Sequence, residues 1–172
     1  MIIKNGILLE VNPIEAIGYF VVPDGVTEIG HYVLAYYDGL KGVTIPDSVK
    51  SIGSSAFYDS TDLKSKVANY KAFKITPYGE LKCRDKTYKE GHKSSVRGEL
   101  KLCENGIHYC TNLFEVFNYY YGELDKDIAI YKCDVSDENV CDVYSSKRCA
   151  RWLVPRKRLH REDVIRILNG GE

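Results

Sequence analysis

The sequence predicts an α+β protein: a short capped solenoid of two repeats (residues 1–68) packed on a small α+β domain with a basic C-terminal segment (residues 69–172). Three observations predict it. Residues 20–30 (FVVPDGVTEIG) return as residues 43–53 (VTIPDSVKSIG), so Pro23 and Pro46, Asp24 and Asp47, Val26 and Val49, Ile29 and Ile52, and Gly30 and Gly53 all stand 23 residues apart. A fixed period of this size marks a stack in which each unit buries its apolar face against the next. Asn5-Gly6 divides two apolar runs just ahead of the first copy. Beyond residue 69 the period ends, and strand-like and helix-like segments alternate.

Asn-Gly between apolar runs is a strong hairpin signal, because both turn positions take positive φ. A short hairpin over residues 1–11 therefore caps the first repeat and covers its open edge. Each repeat is expected to run as a strand ending at Pro23 or Pro46 and a turn at Asp24-Gly25 or Asp47-Ser48. A second short strand comes next (26–29, 49–52), and then a helical turn (31–37, 54–58). Proline at a strand end removes no ladder hydrogen bond, and Asp-Gly or Asp-Ser suits the turn after it. Two repeats are fewer than a free-standing stack needs, so the second must lean on the remainder of the chain, through a junction at residues 62–69.

In that remainder, residues 70–75 read as a strand and residues 81–83 as another, before a polar stretch from 84 to 95. Asn112 with Glu115 three positions on is a capping-box pattern. The helix it opens, residues 113–121, carries Phe114, Phe117, Tyr120 and Tyr121 at spacings of three and four. Residues 127–135 alternate as a strand and lead into an acidic loop, residues 134–142. A short helix over residues 162–168 has acids in its first turn and Gly170 as its stop.

Residues 43–57, VTIPDSVKSIGSSAF, closely resemble the BspA-type leucine-rich repeats, and the resemblance covers roughly residues 18–65. It implies that the stack is a short capped leucine-rich-repeat solenoid. The first copy departs from the pattern, with Val33-Leu34-Ala35-Tyr36 where an Ala-Phe pair is expected. The order of Tyr70-Lys71-Ala72-Phe73, Leu81-Lys82-Cys83, Leu102-Cys103, Gly106-Ile107-His108 and the Tyr-rich helix resembles an uncharacterised domain of bacterial and phage proteins, over about residues 69–135. That resemblance implies a phage or mobile-element origin and brings no established activity.

Twenty-four basic and twenty-four acidic residues balance over the chain, with net −3 in residues 1–68 and +3 in residues 69–172, so bulk charge does not announce nucleic acid. No apolar run is long enough to span a bilayer, and the N-terminus lacks the pattern of a secretory signal. The expected compartment is the cytoplasm of a bacterial host, and no membrane partner is expected. The six cysteines, all after residue 82, are then expected as reduced thiols. Cys103, His108 and Cys110, with Cys83 as a fourth, supply zinc-compatible atoms, but they contain no Cys-x-x-Cys pair, so no metal is expected. There is no glycine-rich phosphate loop, no His-Glu-x-x-His and no Gly-x-Ser-x-Gly, and no cofactor is expected.

Fourteen tyrosines against one tryptophan favour a recognition surface, since tyrosine is enriched at interfaces. Tyr19, His31, Tyr32, Tyr36, Tyr37 and Tyr58 are expected on the outside of the repeats, where they would bind a protein. The leading reading is a protein-binding module without chemistry of its own that occupies a host target, an immunity component being one candidate. A second reading is an enzyme: Tyr70-Lys71-Ala72-Phe73 and His108 loosely resemble the order of ADP-ribosyltransferase-like folds, with His108 presented to NAD. That reading lacks the family's Ser-Thr-Ser segment and late-strand glutamate, so Glu115, Glu123 or Glu138 would have to serve. A third reading is nucleic-acid binding. Residues 147–161 hold seven Lys or Arg and no acid, and Arg148, Arg151, Arg156, Lys157 and Arg158 would meet phosphates while Trp152 stacks on a base. The favoured reading of the same stretch is a solvated face with Trp152, Leu153 and Val154 docked in the core, because most charge runs are solvated faces; it could also meet an acidic surface on a protein partner or the chain's own acidic loop at residues 137–142. The sequence carries no signal of oligomeric state.

Overall fold

The computed structural model describes residues 1–65, 68–102, 104–141 and 146–172. Cys103, Asp142, and Lys66 and Val67 of the expected junction lie outside the described residues. The chain opens with β1 (Ile2–Lys4) and β2 (Ile7–Glu10), an antiparallel hairpin. Asn5 and Gly6 turn at φ of 52° and 77°, the left-handed pair that the hairpin's twist requires. A single 3-10 turn, Pro13–Ala16, leads into β3 (Gly18–Val21), β4 (Glu28–Ile29), β5 (Leu40–Thr44) and β6 (Ser51–Ile52).

The 23-residue period becomes register. β3 lies parallel to β5 with Phe20 beside Val43, and β4 lies parallel to β6 with Ile29 beside Ile52. The hairpin strand β2 supplies the rung below, Leu8 beside Ile29. Stacking identical positions puts Phe20, Val26, Ile29, Val43, Val49 and Ile52 in one interior, all nearly water-free. The rungs touch at Gly30 and Gly53, where a β-carbon would stand 2.6 Å from the Leu8 carbonyl oxygen and 2.6 Å from the His31 amide nitrogen. Only glycine permits that approach.

The second part holds β7 (Tyr70–Ile75), β8 (Leu81–Cys83), β9 (Lys86–Tyr88), β10 (Ser94–Ser95), β11 (Ile107–Cys110), α1 (Leu113–Val116) and β12 (Gly122–Glu123). It continues through β13 (Ile128–Val135), β14 (Asn139–Cys141), β15 (Lys147–Ala150), β16 (Trp152–Leu159) and α2 (Arg161–Leu168). Its large antiparallel sheet runs β10-β16-β13-β7-β11-β15-β14, with β8 and β9 added beside β7. Both faces are covered. Phe73, Tyr88 and Tyr131 pack on one side with ring centroids 4.8 and 5.8 Å apart, while Tyr70, Ala72, Ile128 and Ile130 join the repeat core on the other.

The repeats do lean on this second part. β12 runs antiparallel to β6 with Gly122 beside Ile52, and so closes the exposed edge of the repeat sheet. Phe57 from the second repeat stacks edge-on against Phe114 and Phe117, at 5.0 and 6.3 Å. The Asn169 side chain donates to the Ile45 carbonyl at 3.0 Å and accepts from its amide at 2.7 Å, satisfying both polar groups of one repeat residue.

Several expectations are corrected. The described residues make a mostly β fold with two short α-helices, so the expected α+β character is weak. The helical turns expected over 31–37 and 54–58 are tight turns instead, each with two left-handed residues: Tyr32 and Tyr36 in the first copy, Ser55 and Asp59 in the second. The helix expected over 113–121 stops at Val116. Asn112 does cap it, accepting from the Phe114 amide, but Glu115 completes no box; its carboxylate accepts from the Ser146 amide at 2.8 Å. The polar stretch 84–95 contains β9 and β10, and the basic segment contains β15 and β16. Pro155 is tolerated inside β16 because the register with β13 shifts at Lys132 and Cys133, opposite it.

Candidate functional site

Two surfaces combine unusual chemistry with accessibility. The first is the column of repeat turns. Tyr32, Tyr36 and Tyr58 are 55 %, 64 % and 41 % exposed, and the rings of Tyr36 and Tyr58 meet edge-on at 5.4 Å. His31 stands at the same turns, its Nδ1 accepting from the Ser54 amide and its ring edge-on to Tyr121. Tyr32 and Tyr36 have φ of 56° and 61°. A bulky side chain in that region costs on the order of 1 kcal/mol against glycine or asparagine. Tyr19 lies on another face, 78 % exposed on β3 and across Gly42 of β5, beside exposed Val21. Tyr37 differs from the others. It is half-buried, its hydroxyl donates to the Val11 carbonyl, and burial raises its pKa, so it is part of the scaffold.

The second surface is a cleft of about 410 Å³. β7 and β11 are registered only at Tyr70 beside Cys110 among the described residues, and the cleft opens where that ladder ends. β7 gives Lys71 and Lys74 to its wall, β8 gives Lys82 and Cys83, and Arg84 comes directly after. β11 gives His108, the turn after α1 gives Tyr119 and Tyr120, and β15 gives Lys147. Among the described residues that line it there are five Lys or Arg and no carboxylate.

Lys71 is the unusual member. It is 4 % exposed, and its Nζ donates to Cys83 Sγ at 3.2 Å and Tyr120 Oη at 3.4 Å, with Cys83 and Tyr120 themselves 2.8 Å apart. The Phe73 and Tyr120 rings lie 5.9 and 5.5 Å from the ammonium. A sulfur, a phenol and two aromatic rings thus stand where a buried cation ordinarily has a carboxylate. Burial raises the Tyr120 pKa, and the adjacent Cys83 adds to the effect, so the phenol stays protonated. His108 is pushed down to about 4, first by burial and then by Lys147, Lys71 and Arg84. It is a neutral imidazole at pH 7.

Cys83, His108 and Cys110 all line the cleft, but among the described residues no three His, Cys, Asp or Glu side chains are grouped to hold a metal ion. Cys83 serves Lys71, while Cys110 and Cys133 are buried thiols, each pushed up to about 12 chiefly by desolvation. None of the three glutamates weighed for transferase chemistry lines the cleft. Glu115 holds Ser146, Glu123 pairs with Lys126 at 2.9 Å, and Glu138 pairs with Arg151 at 2.5 Å.

In the basic segment, Arg151 forks onto Glu138 of the acidic loop and also donates to the Gly98 carbonyl. Arg156 meets Asp134 at 2.6 Å, and Arg158 meets Asp125 at 3.0 Å. Leu153 and Val154 are buried, while Trp152 is half-buried with Lys93 Nζ 4.4 Å from its ring centre. Arg148 pairs across strands with Tyr109, and Lys157 stays exposed beside Lys132. Asp125, which sequence reasoning passed over, gathers Arg158, the His160 ring and the Arg161 amide around one carboxylate. Nothing in its local sequence marks it, because its partners stand more than thirty positions away.

A family model described as a domain of unknown function, DUF7666, matches residues 67–167. The chain belongs to this family. The match takes in β7 to β16 and nearly all of α2, so the cleft is a feature of the DUF7666 part of the chain. A model of BspA-type leucine-rich repeat regions matches residues 14–83, which takes in both copies of the 23-residue unit. Its match runs beyond the repeats into β7 and β8, which here belong to the large sheet. Comparison with curated proteins and with solved structures gives no match. Among the described residues no helix is long and apolar enough to cross a membrane.

Proposed function

We propose that the chain is a protein-binding module whose leucine-rich repeats carry the recognition face, centred on Tyr32, Tyr36 and Tyr58. One observation carries this reading: two exposed tyrosines occupy left-handed backbone positions that the second repeat fills with Ser55 and Asp59. A bulky aromatic at such a position weakens the fold, and accessible tyrosine is a strong contact residue, so the cost is offset at an interface. Leucine-rich repeats as a class suggest protein interaction, which agrees with this placement. The finer reading rests on the resemblance to phage-borne domains: a protein of a bacterial cell that works by occupying a host component, an immunity protein first among the candidates.

The test is capture from bacterial lysate with the wild-type chain beside a Tyr32→Asn/Tyr36→Asn/Tyr58→Ser variant. The reading expects one partner, of unchanged mass, retained by the wild type and lost by a variant that melts no lower. Equal retention by both overturns the tyrosine face. A partner that gains an ADP-ribose mass when NAD is supplied would establish the enzymatic reading instead, although none of the three candidate glutamates lines the cleft beside His108. For the nucleic-acid reading, neutralising Arg156, Lys157 and Arg158 would flatten a steep salt dependence of oligonucleotide binding. Arg156 and Arg158 each already face an internal carboxylate, which favours the protein-binding reading over it.

A further inference from the structure

We propose that the cleft beside β7 and β11 binds a small phosphate-bearing ligand of the nucleoside phosphate class, with its phosphates among Lys71, Lys82 and Arg84 and its ring against Tyr119. Three observations converge. The described lining holds five cationic side chains and no carboxylate, so the cleft is a concentration of like charge. Like charges gathered in this way repel one another, and an anion entering among them would relieve that repulsion. Lys71 is nearly water-free, and its hydrogen-bond partners among the described residues are the Cys83 sulfur and the Tyr120 phenol, with no carboxylate among them. A phosphate oxygen reaching it would form a charge-assisted hydrogen bond in a poorly hydrated place, where such bonds are strong.

Size and wall chemistry narrow the class. A volume of about 410 Å³ is more than an inorganic anion needs and falls in the range of small-ligand sites. Tyr119 is 43 % exposed, so a flat heteroaromatic ring has an aromatic wall to lie on beside Lys147, whose Nζ stands 4.6 Å over part of the same ring. Lys82 and Arg84 are exposed at the rim, Lys82 only loosely held by Glu80 at 4.0 Å, and both are available to a second phosphate. His108 stands neutral beside them and adds no charge, and a bound polyanion would raise its pKa.

The experiment is calorimetric titration of the full chain at low salt with ADP, AMP, inorganic phosphate and adenosine, alongside melting curves. The expected order is ADP, then AMP, then phosphate, with adenosine at least about tenfold weaker than ADP. Lys71→Met keeps the buried volume and removes the charge. It is expected to melt at or above the wild type without ligand and to lose about tenfold or more in ADP affinity. Arg84→Gln lies on the surface, leaves folding intact and should lose about three- to tenfold, so it carries the test if Lys71→Met does not fold. Binding of adenosine as tight as ADP, no heat with about 10 mM ADP, or unchanged ADP affinity in Arg84→Gln together with Lys82→Gln would each overturn the proposal. So would a single-stranded oligonucleotide that binds where mononucleotides do not, since the cleft would then be part of a nucleic-acid interface. The triple tyrosine variant should keep its ADP affinity, which separates this site from the repeat face.

Discussion

At the scale of the residue, position within the repeat decides what a side chain can do. Tyr32 is exposed at a left-handed turn where its counterpart 23 residues on is Ser55. Tyr32→Asn is expected to raise stability by about 0.5–1 kcal/mol in urea unfolding, because asparagine tolerates the conformation. A loss of stability would show that the ring packs where the structure leaves it in water. His108 provides the matching electrostatic test. Its folded-state pKa of about 4 lies below the ordinary histidine value of 6.5, so between those values the unfolded chain binds more protons. The contribution of neutral His108 to stability is therefore present above pH 6.5 and is lost as pH falls from 6.5 to 4. His108→Gln should flatten this part of the pH–stability curve, read by urea unfolding at about pH 7 and about pH 5. An unchanged difference between the two would mean that other groups set the acid limb.

At the scale of the element, close approach and edge closure hold the stack together. At Gly53 a β-carbon would stand 2.6 Å from the His31 amide nitrogen of the rung below, so a methyl group there must push two backbones apart. Gly53→Ala should cost about 1–3 kcal/mol in urea unfolding, even though alanine is otherwise a mild replacement. Phe57, 4 % exposed between Phe114 and Phe117, belongs to the contact between repeats and sheet. Phe57→Ala should cost about 3–5 kcal/mol in a single cooperative transition, whereas two separate transitions would show that the parts fold independently. The elements also show where sequence periodicity is readable. β7 and β8 lie where their alternation and bounding turn put them, and β13 begins one residue later than expected. α1 is shorter than its aromatic spacing promised, because turns that pack on the repeats and the cleft bury Phe117 and half-bury Tyr120. β16 is hidden in the sequence because Pro155 and a run of cations mask its alternation, and both are accommodated by a register shift and facing acids.

At the scale of the whole molecule, the repeats and the large sheet share one core, with Leu8, Ile29 and Ile52 continuous with Phe114, Ile128 and Ile165. Residues 1–68 alone lose β12 from the edge of β6, both aromatic partners of Phe57 and the Asn169 bracket on Ile45. That fragment is expected to be unfolded by circular dichroism, with the full chain giving a β-rich spectrum. A folded fragment would mean that two rungs and a hairpin suffice. The Arg161 guanidinium, which donates to the Asp47 and Val49 carbonyls, ties α2 to the repeats across the same seam.

The sequence by itself determined the repeat, its hairpin cap, the turn glycine and asparagine, and the need of the second repeat for support. Each is a local pattern or a fixed period, and stacking converts a period directly into register. Tyr32, Tyr36 and Tyr58 were legible as surface residues for the same reason. The tertiary structure alone decided that Tyr37 is scaffold and that Arg151, Arg156 and Arg158 of the basic segment answer acids brought in from other parts of the chain. It alone brought Lys71, Cys83, His108 and Tyr120 around one cleft. Those four stand on separate segments, and burial and charge proximity are properties of the assembled sheet that no single stretch of chain encodes.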